Sequence, residues 1–115
     1  GLALFNGDRC TPDWYPPIFK DWDKIFVPGE EVIDIGSNLQ GNVSPCSKYI
    51  GLNMLSVNEE LVIIDENQQW VRRELNKYGI ETIGLPMRQA RTLSGGFHCV
   101  TLDTKRKGSL EDYFA

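Results

Sequence analysis

The chain alternates short apolar runs with polar, turn-forming stretches, and the length of each run sets the element it predicts. Residues 2–5 (Leu-Ala-Leu-Phe) are an apolar run ended by Asn6-Gly7-Asp8, which predicts a strand followed by a turn. Helix-start chemistry follows at Thr11-Pro12-Asp13 and again at Pro16-Pro17, ahead of Ile18 and Phe19, so any helix here is short. Residues 24–27 (Lys-Ile-Phe-Val) read as a second strand, stopped by Pro28-Gly29. Val32, Ile33 and Ile35 form a further apolar patch. Residues 36–45 then make a polar loop of a size that is often functional.

Residues 49–57 and 61–64 predict two strands joined by a hairpin turn at Asn58-Glu59-Glu60. The clearest helix comes next. Asp65 or Asn67 offers an N-cap, with Gln68 three after Asp65 as in a capping box. Val71, Leu75 and Tyr78 share one face with Trp70 beside it, and Gly79 suits the C-terminal end. Residues 80–85 are a strand closed by Pro86. Beyond Arg88 and Arg91, Gly95-Gly96 leads into residues 97–103, whose alternation predicts a strand. Phe97, Cys99, Thr101 and Asp103 then point one way, and His98, Val100 and Leu102 the other. A basic turn, Lys105-Arg106-Lys107-Gly108, precedes a short tail at residues 110–114.

A loose repeat emerges. Strand, helix, strand and proline occur twice, and the second unit is preceded by a hairpin partner strand. Repeated ββαβ units predict an α/β architecture of modules that need neighbours. Two such modules do not close on themselves, and the chain opens as if a strand were entered in mid-stream. The expectation is a piece of something longer.

Composition narrows the partners. The 115 residues are one domain's worth of chain, and a net charge of -4 argues against nucleic acid as the principal partner. No apolar run approaches the roughly 20 residues that span a bilayer, and the N-terminus lacks the basic and apolar regions of a signal peptide. Cys10, Cys46 and Cys99 are odd in number and widely spaced, and His98 is the one histidine. That pattern fits neither a disulfide framework nor a zinc site, so reduced thiols in a cytoplasmic setting are the simplest reading. No metal and no cofactor are implied.

Cys99, behind two glycines that let backbone or substrate come close, reads as a nucleophile or as a buried spectator. His98 is adjacent on the predicted strand, faces the opposite side, and so reads as structural rather than as the base for Cys99. Arg9, directly after a strand and turn, reads as a bidentate clamp for a carboxylate or as a surface ion pair. Ser47 reads as a binding-loop hydroxyl or as turn chemistry. Arg88, Arg91 and the basic turn read as anion contacts or solvated charge.

Residues 93–108 resemble the C-terminal signature of the glycine and inosamine-phosphate amidinotransferases, of the pentein superfamily. Leu-Ser-Gly-Gly-Phe-His-Cys is similar to that family's Leu-Gly-Gly-Gly-Phe-His-Cys, and Lys105-Arg106-Lys107-Gly108 to its following basic run and glycine. The resemblance extends back through residues 61–65, residues 51–55 with Asn53, Ser47-Lys48 and residues 6–9, so it touches essentially the whole chain. It implies a partial pentein fold, about two ββαβ modules of a five-module α/β propeller, forming the C-terminal part of a catalytic domain. It also implies that Cys99 attacks the guanidinium carbon of arginine, and that an acceptor amine resolves the amidino-cysteine. Arg9 would bind the substrate carboxylate, and Ser47 and Cys46 would lie in the substrate loop. Cys46 stands where the glycine-using branch has Ser, and Ser94 where a third Gly is common. The family's catalytic His, in a His-hydrophobic-Asp motif, would come upstream of Gly1, so the isolated chain is expected to be inactive. Small molecules are the implied partners, and a homodimer is allowed. A guanidine-hydrolysing relative and a non-catalytic module with exposed sheet edges are the alternatives.

Overall fold

The computed structural model describes residues 1–34, 46–88 and 93–108. These form two compact units, Gly1–Gly29 with the described residues from Leu102 onward, and Glu30–Thr101.

In the first unit, β1 (Leu2–Asn6) and β2 (Asp23–Val27) pair in parallel, with Leu2 opposite Asp23 and Asn6 opposite Val27. Parallel neighbours need a crossover that covers the sheet. Here the connection contains only a short 3-10 helix, Pro17–Phe19, opened by prolines that preset its first φ. Aromatic rings supply the cover that a long helix would give. Phe5 stacks on Phe26 at 5.3 Å and meets Phe19 edge-on at 5.4 Å, and Phe19 meets Trp22 edge-on at 5.3 Å. Ala3, Phe5, Ile25 and Val27 are buried, so both faces of this two-stranded ribbon are covered.

In the second unit, β3 (Leu55–Ser56) runs antiparallel to β4 (Leu61–Asp65), and β5 (Glu81–Leu85) runs parallel to β4. The helix α1 (Gln69–Lys77) makes the crossover between β4 and β5. Val62 and Ile64 on β4 and Val71 and Leu75 on α1 are buried, each side chain contributing about 1.5–3 kcal/mol by leaving water. The helix ends in a Schellman motif. Gly79 has φ +76°, its N–H donates to Asn76 O at 3.0 Å, and Ile80 N–H donates to Leu75 O at 3.2 Å.

A buried polar cluster closes this unit at the start of α1. Gln68 is wholly buried, and its side-chain amide pairs with a backbone edge: Nε2 donates to Ile33 O at 2.7 Å, and Oε1 accepts from Ile33 N–H at 3.2 Å. Nε2 also donates to Asp65 Oδ2 at 2.9 Å, while Asp65 Oδ1 accepts from Asn67. With every polar atom of the amide used, burial is tolerable.

The α/β class and the strand, helix, strand repeat agree with the sequence; the two sheets are not closed into a barrel. Several local expectations are corrected. Residues 49–57 are not one strand. A 3-10 helix, Lys48–Leu52, occupies most of the stretch, leaving the two-residue β3. Gly51 lies inside that helix, where a Cβ would run into the Gln68 amide, and Ser47 and Asn53 cap its two ends. The capping box does not form either. Asp65 is the last residue of β4, and its pairing with Gln68 is side chain to side chain. Tyr78 lies beyond α1 and is 45% exposed, unlike Val71 and Leu75. Residues 97–100 form a turn, and no strand follows in residues 101–103. The loop expected at residues 36–45, Ile35, Arg91 and the tail at residues 110–114 lie outside the described residues. No helix among the described residues is long and apolar enough to cross a membrane.

Candidate functional site

The glycine pair and Cys99 are held in place by one residue from another part of the second unit. Asn53 follows the 3-10 helix Lys48–Leu52, its backbone at φ -77° and ψ 65°, and its N–H donates to Ile50 O at 2.9 Å. That inverse-γ conformation turns the chain out of the helix. Asn53 then receives two successive amides: Cys99 N–H donates to Asn53 Oδ1 at 3.2 Å, and His98 N–H donates to Asn53 O at 3.3 Å. Gly96 lies flat against the same residue. A Cβ at Gly96 would stand 2.6 Å from Asn53 Cβ and 2.7 Å from its carbonyl oxygen, so no side chain fits. Gly95 faces the nucleophile candidate itself, with a Cβ there falling 3.2 Å from Cys99 Cβ.

The turn is locked on its far side as well. His98 O accepts Thr101 N–H at 3.1 Å and Thr101 Oγ1–H at 2.8 Å. Ser94 enters the loop with φ +58°, the left-handed region that costs a residue with a Cβ about 1–3 kcal/mol. The position where the resembling family commonly has a third glycine is thus one where the backbone asks for glycine.

Cys99 is exposed among the described residues, not packed into the core of its unit. It borders a cavity of about 610 Å³ whose lining also includes Met87, Arg88, Gly95 and Gly96. A space of that size takes a small molecule, and its lining combines a thiol, a cation and glycine backbone. The argument that set His98 aside needed a strand; with residues 97–100 in a turn, adjacent side chains no longer alternate. His98 is held through its main chain, by Asn53 and Thr101, and its side chain is exposed.

Ser47 and Cys46 stand at the other end of the helix that Asn53 closes. Ser47 is its N-cap, its Oγ accepting Tyr49 N–H at 3.2 Å, so the turn chemistry is present. With about 2.0 Å of rise per residue, this short helix spans on the order of 12 Å between Ser47 and Asn53. Ser47, Cys46 and Cys99 therefore belong to one unit, linked through Asn53. Arg9 belongs to the first unit. It is exposed in the turn after β1, where its N–H donates to Asn6 O at 3.0 Å and Asp8 N–H donates to Asn6 Oδ1 at 2.9 Å. Arg88 reaches the cavity, and Arg106 in the basic turn pairs with Asp103 at 2.6 Å. Cys10, Cys46 and Cys99 form no disulfide, and among the described residues no cluster of His, Cys, Asp and Glu is placed to hold a metal.

Asn53 carried no assigned role in the sequence reading. Its signal was present: an asparagine two residues after a glycine, interrupting an apolar run, is a residue whose side chain competes for backbone groups.

No protein-family model matches the chain. It is 40% identical over 113 residues to inosamine-phosphate amidinotransferase 1 of Streptomyces glaucescens, covering 98% of this chain and 31% of that protein. It is 41% identical over 117 residues to the mitochondrial glycine amidinotransferase of Xenopus tropicalis, covering 100% of this chain and 26% of that protein. The chain is a homologue of amidinotransferases. Among solved structures it matches the inosamine-phosphate amidinotransferase StrB1 of Streptomyces griseus with a TM-score of 0.87 at 39% identity, over 98% of this chain and 31% of that one. It also matches SxtG, an amidinotransferase from Microseira wollei, with a TM-score of 0.82 at 32% identity, over 99% of this chain and 30% of that one. The chain thus spans about a third or less of the amidinotransferases it matches. Its resemblance to that family, first visible in residues 93–108, holds along nearly its full length.

Proposed function

We propose that this chain is the C-terminal part of an amidinotransferase catalytic domain, in which Cys99 carries the amidino group from arginine to an acceptor amine. The observation that carries the proposal is the exposed Cys99 thiol at the edge of a cavity, on a loop shaped by Gly95 and Gly96. The family relationship gives that thiol its reaction. The Cys99 thiolate attacks the guanidinium carbon, the bond from that carbon to the ornithine nitrogen breaks, and the departing nitrogen takes a proton. An S-amidino-cysteine remains. The acceptor amine then attacks the same carbon, the C–S bond breaks, the thiolate returns, and the acceptor nitrogen releases its extra proton to a base. The acid and base are assigned to the histidine that the resemblance puts upstream of Gly1, so the isolated chain is inactive on this reading.

Arg9 is proposed to hold the carboxylate of the substrate through its guanidinium, and Ser47 and Cys46 to line the acceptor side. The two strand, helix, strand units are proposed to be about two modules of a five-module propeller. Large apolar side chains exposed here support a longer protein that covers them: Leu93 is 76% exposed and Val100 78%, both at the cavity beside Cys99. A cytoplasmic protein acting on small molecules, able to form a homodimer, is the setting proposed.

The test is made on the protein as the cell makes it. Incubation with arginine and an acceptor amine is expected to yield ornithine and the amidinated acceptor, with a mass shift on Cys99 when the acceptor is withheld. Cys99→Ala is expected to abolish both. Citrulline as the product would replace transfer by hydrolysis. If Cys99 in that protein is alkylated no faster than Cys46 and no product forms, the module is non-catalytic.

A further inference from the structure

We infer that Asn53 is a positioning residue for Cys99, setting where the thiol stands at the cavity rather than merely closing a turn. The inference rests on the proposed role of Cys99 and adds a residue to which that role assigns nothing. Three observations converge on Asn53. Its side-chain oxygen accepts the main-chain N–H of Cys99 itself at 3.2 Å. Its carbonyl accepts the N–H of the preceding residue, His98, at 3.3 Å. Gly96, three residues before the thiol, lies so close to Asn53 that a methyl group would clash with its Cβ, its carbonyl oxygen and its Oδ1 at 2.6–2.7 Å. Two consecutive amides, one on the side-chain oxygen and one on the main-chain carbonyl, and a flat glycine against the same residue hold the path of residues 96–99.

The arrangement suits a nucleophile. The Cys99 amide donates to Asn53 Oδ1, so the backbone that carries the sulfur is anchored at the edge of the cavity. Attack on a planar guanidinium carbon requires the sulfur to approach from one face at close range. A displacement of about 1 Å can cost 100-fold in rate without loss of binding. Asn53 acts on that displacement through the Cys99 amide, and it leaves the sulfur itself untouched. It also stands after the helix that begins behind Ser47, so the residue that holds the thiol is continuous with the proposed substrate loop.

Two variants separate positioning from folding. Asn53→Ala removes the Oδ1 acceptor and leaves the backbone carbonyl for His98, whereas Asn53→Asp keeps an oxygen for the Cys99 amide. In the natural protein, Asn53→Ala is expected to lower kcat for ornithine release about 10- to 100-fold, with KM for arginine changed less than about twofold, and Asn53→Asp to restore kcat to within about threefold. Alkylation of Cys99 by iodoacetamide, which makes little demand on direction, is expected to change less than about threefold in either variant. Hydrogen exchange at the Cys99 amide is expected to quicken at least about tenfold in Asn53→Ala and to stay slow in Asn53→Asp.

An unchanged kcat in Asn53→Ala overturns the inference. So does a loss of kcat in which Cys10 and Cys46 become more reactive as well, since the residue would then be holding the fold. If the wild-type protein releases no ornithine, the amidino-transfer reading has failed. The hold of Asn53 on the thiol is then decided by hydrogen exchange at Cys99, and an exchange rate that Asn53→Ala leaves unaltered ends it.

Discussion

The two units build the same strand, connection, strand plan and cover it in opposite ways. In the first, β1 and β2 are bridged by a connection with one turn of 3-10 helix, and Phe5, Phe19, Phe26 and Trp22 do the covering. In the second, β4 and β5 are bridged by α1, and aliphatic side chains cover the sheet while Gln68 and Asp65 fasten the helix entrance. Aromatic rings bring large area from few residues, so a short connection suffices. A helix brings smaller side chains on a regular face, and here the residue at its entrance ties the unit together by bonding to Ile33 and Asp65. The lesson is that a parallel strand pair requires cover, and the type of cover is open.

The comparison breaks first if the aromatic cluster is dispensable. Phe5→Ala is expected to cost about 3–5 kcal/mol, read as lost amide protection in β1 and β2 on hydrogen exchange. Retained protection would mean that the rings decorate a ribbon held by something else. The next effect belongs to the second unit. Gln68→Leu keeps the volume but strips the partners from Ile33 N–H, Ile33 O and Asp65 Oδ2, at about 1–3 kcal/mol for each group left dry. Urea unfolding measures it, and a neutral result would reduce the polar cluster to an incidental contact. The smallest effect has the opposite sign. Ser94→Gly relieves a left-handed backbone at the cost of a more flexible unfolded chain, for a net gain of up to about 1 kcal/mol in thermal unfolding. A loss of stability there would show that the serine hydroxyl contributes to the loop.

The site divides along the same line between local and distant causes. Cys99 and the glycines were legible, because a thiol after a glycine pair is unusual in itself and the surrounding run resembles one family's signature. The shape of that run was not. Alternating polar and apolar residues at 97–103 are what a half-buried strand would show, but among the described residues no strand pairs with them. Asn53 takes the amides of His98 and Cys99 instead. Residues 49–57 misled for a related reason. Their apolar content suited a strand, while the incompatibility of Gly51 with any side chain becomes visible only once Gln68 lies against it. The capping box between Asp65 and Gln68 was a correct pairing with the wrong atoms, since burial and Ile33 claimed the glutamine amide.

By itself, the sequence determined the strands at residues 2–5, 24–27, 61–64 and 80–85, the helix between the last two, its glycine stop, and the repeat that unites them. These follow from periodicity and turn chemistry, which act within a few residues and need no knowledge of distant neighbours. Tertiary structure decided what Gln68, Gly51, Gly96 and Asn53 do. Each acts on a group far along the chain, and a hydrogen bond from Cys99 to Asn53 is invisible until the fold brings the two together. The thiol could be found by reading; what holds it could be found only by folding.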